Sequence, residues 1–578
     1  MTGTAVEAPP IDETSQLIPS PRAPGSRGRE WIRRPLVAGI LLFLVYACFS
    51  VALNDPRGTL GTDTGGKLAT LHMMERNGGL DPDIGYWAAD QDPTGVLHPL
   101  HYTYRLGGKW VNVTTLPMLY ASYPLYLAGG DRAVLMLPML GAVLCAFAAR
   151  ALARRAGGGD GWAAFWIIGL ASPVAIYALD FWEHSLGLGL MLWGIVLLLD
   201  VLERRAGWRA ALGAGALFGV AATMRTEALV YLVVACGLVC LTMLVTQRRW
   251  DRPIGTGLLT LVGAAIPLIA NRYLEQLTIG TDVRGTRVAG TASVAGTSLG
   301  DRVREALTTA VGTGMSGLKP SGEVMVGVIA VACVAAGAWC LSSPERRRNL
   351  IGIGLFAVAA MVYLVRFDQG WGFVPGLLAA SPLAAAGLGL AWRNRALRLP
   401  AAIACVALPI AWYAQYQGGA DAQWGGRYLL TSGALLAVVG CVALEGRGRA
   451  LVAVVTLAAV VTLAGVAWLS VRSNAVADGM TTIVGRHDEL VISRQTHFLR
   501  EGGAFYDADK HWLTATTEPQ FRQAVRIATE SGAHEFALIH GTDQPAPTTI
   551  GGFQRGRTEL VPFIRPDLKV AVTTYRVP

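Results

Sequence analysis

Charged residues are scarce in this chain of 578 residues: they make up 15% of it, whereas hydrophobic residues make up 52%. A soluble domain carries about a quarter charged residues, so the composition argues against a soluble protein. The apolar residues are also clustered in runs long enough to cross about 30 Å of hydrocarbon as helices. The net charge of +9 does not indicate nucleic-acid binding, because the arginines lie at the ends of these runs, where they set membrane orientation.

Cysteine is absent from the long polar segments. All eight cysteines fall inside apolar runs: Cys48, Cys145, Cys236, Cys240, Cys333, Cys340, Cys405 and Cys441. This placement disfavours both a disulfide framework and a cysteine-based zinc site. A cleaved signal peptide is not predicted either, since the first apolar run, Leu36–Leu53, is long enough to span the membrane and no small-residue cleavage site follows it.

Thirteen apolar segments predict transmembrane helices. Their approximate bounds are 36–53, 131–150, 162–179, 184–201, 210–224, 228–246, 254–273, 323–341, 349–365, 374–391, 399–416, 428–444 and 450–471. Arginine is concentrated in alternate loops, which places the N-terminus inside and the C-terminus outside. The short outer turns hold only Arg225, Arg366 and Arg427.

The polar segments divide the chain into three predicted regions. Residues 1–30 are expected to be a disordered cytoplasmic tail, and residues 31–471 the transmembrane domain. That domain includes two long outer segments, 54–130 and 274–322. Residues 472–578 are predicted to be a small soluble extracytoplasmic α/β domain. Its predicted elements, in order, are a strand at Glu489–Ser493, a helix at Gln520–Ser531 and a strand at Glu535–His540.

Acidic residues and histidines of the first outer segment are the first functional candidates. Asp63 lies between small residues just before an apolar helical pattern that includes Lys67, and Asp55 lies near the end of the first span. The other acids of this segment fit a solvated loop surface. Aspartate and histidine could also hold a divalent metal, but no recognisable ligand spacing occurs, so neither a metal nor another cofactor is predicted.

Two short outer turns and the start of the twelfth span supply further candidates. Glu183 and His184 begin the fourth span, and Arg225 and Glu227 lie in the turn before the sixth. Trp424, Arg427 and Tyr428 occur together at the outer start of the twelfth span, with two glycines among them. Ionisable groups are costly at a membrane and are therefore functional candidates. The alternatives are a tryptophan anchor in the headgroup zone and a structural ion pair between Arg225 and Glu227.

Together these residues would suit a phosphorylated lipid. A guanidinium group matches phosphate oxygens, so the phosphate is expected near Arg225 or Arg427 and the head group beside Asp63 and Glu183. A carboxylate could then act as general base towards an acceptor hydroxyl.

The chain resembles the GT-C superfamily of membrane glycosyltransferases, in particular the protein mannosyltransferase and aminoarabinose transferase branch. The resemblance rests on the helical architecture, on Asp55 and Asp63, on Glu183-His184, on Arg225-Thr226-Glu227 and on Trp424-Gly425-Gly426-Arg427-Tyr428-Leu429-Leu430. It implies that an acid of the first outer segment is the catalytic base. This role falls on Asp63, with Asp55 as the alternative, because Pro56 follows Asp55 and no adjacent acidic pair occurs.

The predicted function is therefore transfer of one sugar, with inversion, from a polyprenyl-phosphate donor to an envelope glycan or glycoprotein acceptor at the outer face of the cytoplasmic membrane. Asp63 or Asp55 would be the base, Glu183 and His184 would orient the sugar, and the substrate-binding residues would be Lys67, Arg225, Glu227, Trp424, Arg427 and Tyr428. The alternative is a transporter or flippase of a lipid-linked intermediate. A transporter is expected to have polar groups near the bilayer midplane and repeated or broken helices, whereas here the polar groups lie at the ends of the spans.

Overall fold

The computed structural model describes residues 34–578 apart from Leu60, Thr114, Asp282 and the segments 284–297, 315–319, 369–373 and 416–423. The expected tail 1–30 lies outside the described residues. By packing, the chain divides into two units, residues 1–41 and residues 42–578. In the first unit, helix begins at Pro35, and this helix ends at Leu53 in the second.

Helices dominate the described chain. In chain order they are α1 Pro35–Leu53, α2 Thr62–Arg76, α3 Leu116–Ala133, α4 Met136–Arg155, α5 Trp162–Leu170, α6 Val174–Tyr177, α7 His184–Leu202, α8 Trp208–Met224, α9 Glu227–Gln247, α10 Asp251–Ile279, α11 Leu299–Val311, α12 Pro320–Leu341, α13 Arg346–Asp368, α14 Leu377–Ala380, α15 Pro382–Leu390, α16 Arg395–Gln415, α17 Leu430–Leu444, α18 Gly448–Val484, α19 Phe498–Glu501 and α20 Glu518–Glu530.

Ten of the described helices are long and apolar enough to cross a membrane: α1, α4, α7, α9, α10, α12, α13, α16, α17 and α18. They coincide with ten of the thirteen predicted spans, so the prediction of a polytopic helical membrane protein is confirmed. The predicted span 210–224 corresponds to α8, which has 17 residues. The spans 162–179 and 374–391 are helical but interrupted.

Serine–proline pairs coincide with both interruptions. Between α5 and α6, Pro173 has no N–H to donate, and the Ser172 hydroxyl donates to the carbonyl of Ile168 (2.6 Å). Between α14 and α15, Ser381 caps the second piece, because its hydroxyl accepts from the N–H of Ala384 (3.4 Å), and Pro382 occupies the first helical turn. The hydropathy of the sequence does not reveal either break in the helix, because a proline changes backbone hydrogen bonding without making the segment polar.

The segment 54–130, predicted as the first long outer loop, contains regular structure. Beside α2 and α3 it holds an antiparallel hairpin of β1, Thr103–Leu106, and β2, Lys109–Asn112. The segment also packs against the C-terminal region. The N–H of Thr514 donates to the carbonyl of Leu97 (2.9 Å), and the indole of Trp87 donates to the carbonyl of Trp512 (3.0 Å).

A six-stranded mixed sheet forms the core of the C-terminal domain. Its strands are β3 Leu490–Ser493, β4 His511–Thr514, β5 Glu535–Gly541, β6 Thr549–Ile550, β7 Phe553–Phe563 and β8 Arg565–Arg576, in the order β4-β3-β5-β8-β7-β6. The strands β3, β4 and β5 are parallel, and α20 makes the crossover that parallel strands need. The predicted strand, helix and strand are therefore present, and the long hairpin of β7 and β8 was not predicted.

Helix α18 joins the membrane helices to this domain. It runs from Gly448 to Val484 and so continues beyond residue 471, where the last span was expected to end. The guanidinium of Arg472 in α18 donates to the carboxylate of Glu501 (2.8 Å) and to the carbonyl of Thr59 (3.1 Å). The first outer segment, α18 and the C-terminal domain are thus held together by polar contacts as well as by packing.

His72 of α2 makes a further link of this kind. Its Nε2 lies 2.7 Å from Oδ1 of Asp131, and its Nδ1 lies 3.1 Å from Oδ1 of Asp507 in the C-terminal domain. Burial lowers the pKa of His72, but the two carboxylates outweigh burial and raise the pKa to about 10. Because this exceeds the unfolded value of about 6.5, the stabilising contribution is complete below about pH 6.5 and is lost as the pH rises towards 10.

We therefore expect His72→Gln to lower the unfolding temperature of the detergent-solubilised protein most at about pH 6, and less as the pH rises. Glutamine makes no ion pair and does not titrate. Thermal unfolding at several pH values measures the difference from wild type, with the exposed His487 changed to Gln as the control. A difference that is constant or grows with pH would contradict this account of His72.

Candidate active site

Helix α2 positions two of the predicted site residues. Asp63 lies in its first turn, where the partial positive charge of a helix N-terminus favours a carboxylate. Lys67 follows four residues later and therefore lies on the same face of the helix. The side chain of Asp63 is 34% exposed, whereas that of Lys67 is 2% exposed.

Glycines allow α2 to approach the C-terminal domain very closely. A Cβ atom on Gly65 would lie 2.0 Å from the carbonyl oxygen of Arg500, and one on Gly503 would lie 1.8 Å from the carbonyl oxygen of Gly65. No side chain fits at either position. The two backbones can therefore touch, and the side chain of Arg500 reaches the start of α2.

The carboxylate of Asp63 contacts two guanidinium groups from distant parts of the chain. Its Oδ1 lies 3.0 Å from Nη2 of Arg500, and its Oδ2 lies 3.5 Å from Nη1 of Arg427. Arg427 precedes α17, and Arg500 belongs to α19 of the C-terminal domain. Burial raises the pKa of Asp63, but the charges of Arg500, Arg427 and Lys67 outweigh burial and hold the pKa well below its usual range.

Behind Asp63 lies a buried chain of alternating charges. Lys67 Nζ lies 2.5 Å from Oε2 of Glu183, whose Oε1 lies 3.1 Å from Nη1 of Arg225. Arg225 Nε in turn lies 2.8 Å from Oε1 of Glu227. All four side chains are at most 5% exposed. Two positive and two negative charges balance, which makes their burial tolerable.

Aromatic rings lie between this buried chain and the ion pair of Asp63 with Arg427. The ring of Tyr428 has Arg225 on one side, with Cζ 4.8 Å from the ring centroid, and Arg427 on another, at 4.5 Å. Arg427 also lies 5.5 Å from the ring of Trp182. Gly425 and Gly426 have φ of +78° and +63°, a conformation that favours glycine, and this turn directs Arg427 and Tyr428 towards Asp63.

Several buried polar atoms around the charge chain have no hydrogen-bond partner within the described part of the chain. They are both ring nitrogens of His184, the indole nitrogen of Trp182, Nη2 of Arg225 and Oε2 of Glu227. The ring of His184 is packed between Tyr177, at 5.1 Å, and Trp182, at 4.6 Å. Buried polar groups are nearly always paired with protein or water, so these atoms could accept a polar ligand or ordered water.

Two predicted site residues lie apart from this network. The carboxylate of Asp55 pairs with Arg57, with 2.8 Å between Oδ2 and Nη2. Trp424 is 1% exposed and packs against Trp468 at 5.7 Å, while its carbonyl accepts from the hydroxyl of Tyr177 (2.7 Å). Trp424 thus supports the turn before Arg427 from within the core.

Sequence reasoning missed Arg500 and the pair formed by Thr64 and Asp180. The Thr64 hydroxyl donates to Oδ2 of Asp180 (2.7 Å), which joins α2 to the turn that carries Glu183. Asp180 lies in the same polar turn as Glu183, so the sequence of that turn could have indicated Asp180 as well. No local pattern around Arg500 marks it, because its partner Asp63 is 437 residues away.

No group of three or more His, Cys, Asp or Glu side chains that could hold a metal ion occurs among the residues described. The acids of the first outer segment have other partners. Asp83 accepts from the N–H groups of Gly85 (3.0 Å) and Trp110 (2.9 Å), and Asp92 accepts from the Tyr86 hydroxyl (2.9 Å). These carboxylates shape the loop.

No protein-family model and no curated protein matches the chain. Among solved structures, the chain is similar to ArnT from Cupriavidus metallidurans bound to undecaprenyl phosphate, with TM-score 0.46 and 15% identity over 94% of this chain and 98% of that one. It is also similar to the apo oligosaccharyltransferase of Archaeoglobus fulgidus, with TM-score 0.44 and 12% identity over 88% and 70%. At these values the similarity concerns architecture and assigns no reaction to this chain.

The charge balance of the buried chain gives a testable expectation. Lys67→Met leaves Glu183 with one cation fewer, and breaking a buried pair costs about 3–5 kcal/mol. The double variant Lys67→Met, Glu183→Gln removes one charge of each sign and should recover much of that loss. The measurement is the unfolding temperature of both variants in detergent. A double variant no more stable than Lys67→Met would show that charge balance does not govern this region.

Proposed function

We propose that this protein is a glycosyltransferase that moves one sugar from a polyprenyl-phosphate donor to an envelope glycan or glycoprotein. Transfer would take place at the outer face of the cytoplasmic membrane, with inversion at the anomeric carbon. The observation that carries the proposal is the partly exposed carboxylate of Asp63 beside the guanidinium groups of Arg427 and Arg500. This combines a proton acceptor with two groups suited to a phosphate.

The donor phosphate would bind at Arg427 and Arg500. Guanidinium groups bind phosphate oxygens in paired, charge-assisted hydrogen bonds. Arg427 lies just before α17, one of the helices able to cross a membrane. A polyprenyl chain could therefore lie along the apolar helices while its phosphate remains at the helix ends.

The same arginines explain how Asp63 could act as a base. A general base works best when its pKa is near the operating pH, whereas Arg500 and Arg427 hold the pKa of Asp63 far below that. A bound phosphate would share these two cations and so reduce their effect on Asp63. Its pKa would then rise, and the base would become effective when the donor is in place.

In the reaction, Asp63 would take the proton of an acceptor hydroxyl as that oxygen bonds to the anomeric carbon. The bond from the anomeric carbon to the phosphate oxygen breaks, and polyprenyl phosphate leaves with the electron pair. The developing charge on this phosphate would be stabilised by Arg427 and Arg500. Glu183, held between Lys67 and Arg225, would orient the sugar indirectly, by fixing the helix ends around it. The unpartnered nitrogens of His184 would supply hydrogen bonds to the sugar.

The position of the charged groups favours this enzyme over a transporter or flippase. Glu183 precedes α7, Arg225 lies between α8 and α9, and Arg427 precedes α17. All three lie at helix ends, whereas transporter sites are typically built near the middle of the bilayer. The arginine pattern of the loops supports an inside N-terminus and an outside C-terminal domain.

We expect Asp63→Asn to reduce sugar transfer by roughly 10²–10⁴-fold while donor binding is kept or strengthened, since asparagine no longer competes with phosphate for the arginines. The assay is transfer from a radiolabelled polyprenyl-phosphate sugar to membranes of a strain lacking this protein. The exposed Asp90 changed to Asn is the matched control. Asp55→Asn tests the alternative base, and wild-type transfer by Asp63→Asn would remove Asp63 from the mechanism.

A further inference from the structure

We propose that the rings of His101, Tyr102 and His497 form a binding subsite for the acceptor: a platform on which a sugar ring of the acceptor packs, with one hydroxyl directed to Asp63. This inference rests on the proposed function and adds the place where the acceptor binds. None of the three residues belongs to the ion-pair network described above.

The three rings form one cluster from two distant parts of the chain. The centroids of His101 and Tyr102 are 4.0 Å apart with their planes at 54°, and those of His101 and His497 are 4.8 Å apart with their planes at 84°. The two imidazoles therefore stand at an angle beside the Tyr102 ring, which is the surface on which a sugar would pack. Tyr102 is 43% exposed, and His497 is also exposed. Aromatic rings with an open face and a polar edge are suited to ligands that present both C–H groups and hydroxyls, as sugars do.

The side chain of Arg500 connects this aromatic cluster to the proposed base, Asp63. The guanidinium of Arg500 is 4.7 Å from the ring centroid of Tyr102, and the same guanidinium lies 3.0 Å from Asp63. A sugar on the platform would therefore be next to the carboxylate that must take its proton. Arg500 thus contacts both the platform and Asp63, while Arg427 contacts the other carboxylate oxygen of Asp63.

The backbone of Tyr102 is held in an unfavourable conformation. Its φ is +65°, which is uncommon for a residue other than glycine and rare for a bulky one. The surrounding hydrogen bonds fix it. Val113 N–H donates to the carbonyl of Tyr102 (2.9 Å), and the amide of Asn112 donates to the carbonyl of His101 (3.2 Å). Strain that is maintained in this way is concentrated at functional sites.

The two histidines offer nitrogens suited to a hydroxyl group. Partial burial, His497 and the positive charge of Arg500 lower the pKa of His101 to about 4. Partial burial and Arg500 also lower the pKa of His497. These shifts favour the uncharged imidazole, which has one nitrogen that donates and one that accepts.

Tyr102→Gly tests the role of the ring without disturbing the fold. Glycine adopts φ of +65° without strain, so this variant should unfold at the wild-type temperature or higher while lacking the ring. Tyr102→Phe keeps the ring. The control is His511→Ala, which alters a different exposed histidine, whose ring centroid lies 4.7 Å from that of Trp87.

Saturation-transfer NMR on the full-length protein in detergent would measure binding of mannotetraose, arabinotetraose and maltotetraose. We expect at least one of them to bind the wild type, and its dissociation constant to rise roughly 2- to 10-fold in Tyr102→Gly but not in Tyr102→Phe or His511→Ala. Equal binding by Tyr102→Gly, or no binding of any tetrasaccharide to the wild type, would overturn the proposal. The assay needs no donor, so its outcome is independent of the transfer assay with Asp63→Asn.

Discussion

Arg500 has a side chain that is only 3% exposed, and a buried guanidinium group is strongly unfavourable unless an anion accompanies it. Asp63 supplies that anion from a segment 437 residues earlier. The contact requires α2 and α19 to touch through Gly65 and Gly503. The start of α2 and the C-terminal domain are thereby fixed to each other, and the remaining site residues are organised around this junction.

The site has two electrostatic layers with different properties. The inner layer, from Lys67 to Glu227, contains equal numbers of positive and negative charges and is closed to solvent. The outer layer, around Asp63, is partly open and contains two guanidinium groups beside one carboxylate. The inner layer is suited to hold helix ends in register, whereas the outer layer is suited to exchange its partners when an anion arrives.

The sequence was informative wherever a local pattern determines the structure. Apolar runs located the spans because burial in lipid depends on the composition of about 20 consecutive residues, and polar turns marked Glu183 and Arg225 because charges are costly there. Other features were not predictable. Arg500 has no local signature, because its contact is created by tertiary packing. Nor could the sequence place Trp424 in the core, behind the turn at Gly425 and Gly426 that points Arg427 towards Asp63; its part in substrate binding stays a prediction.

Helix α18 is continuous for 37 residues, and a helix of that length extends about 55 Å. Crossing the hydrocarbon takes about 30 Å, so up to roughly 25 Å of the same rigid rod can stand clear of the lipid. The sheet domain therefore follows a continuous helix that holds it at a fixed distance from the lipid, and α18 contains no hinge.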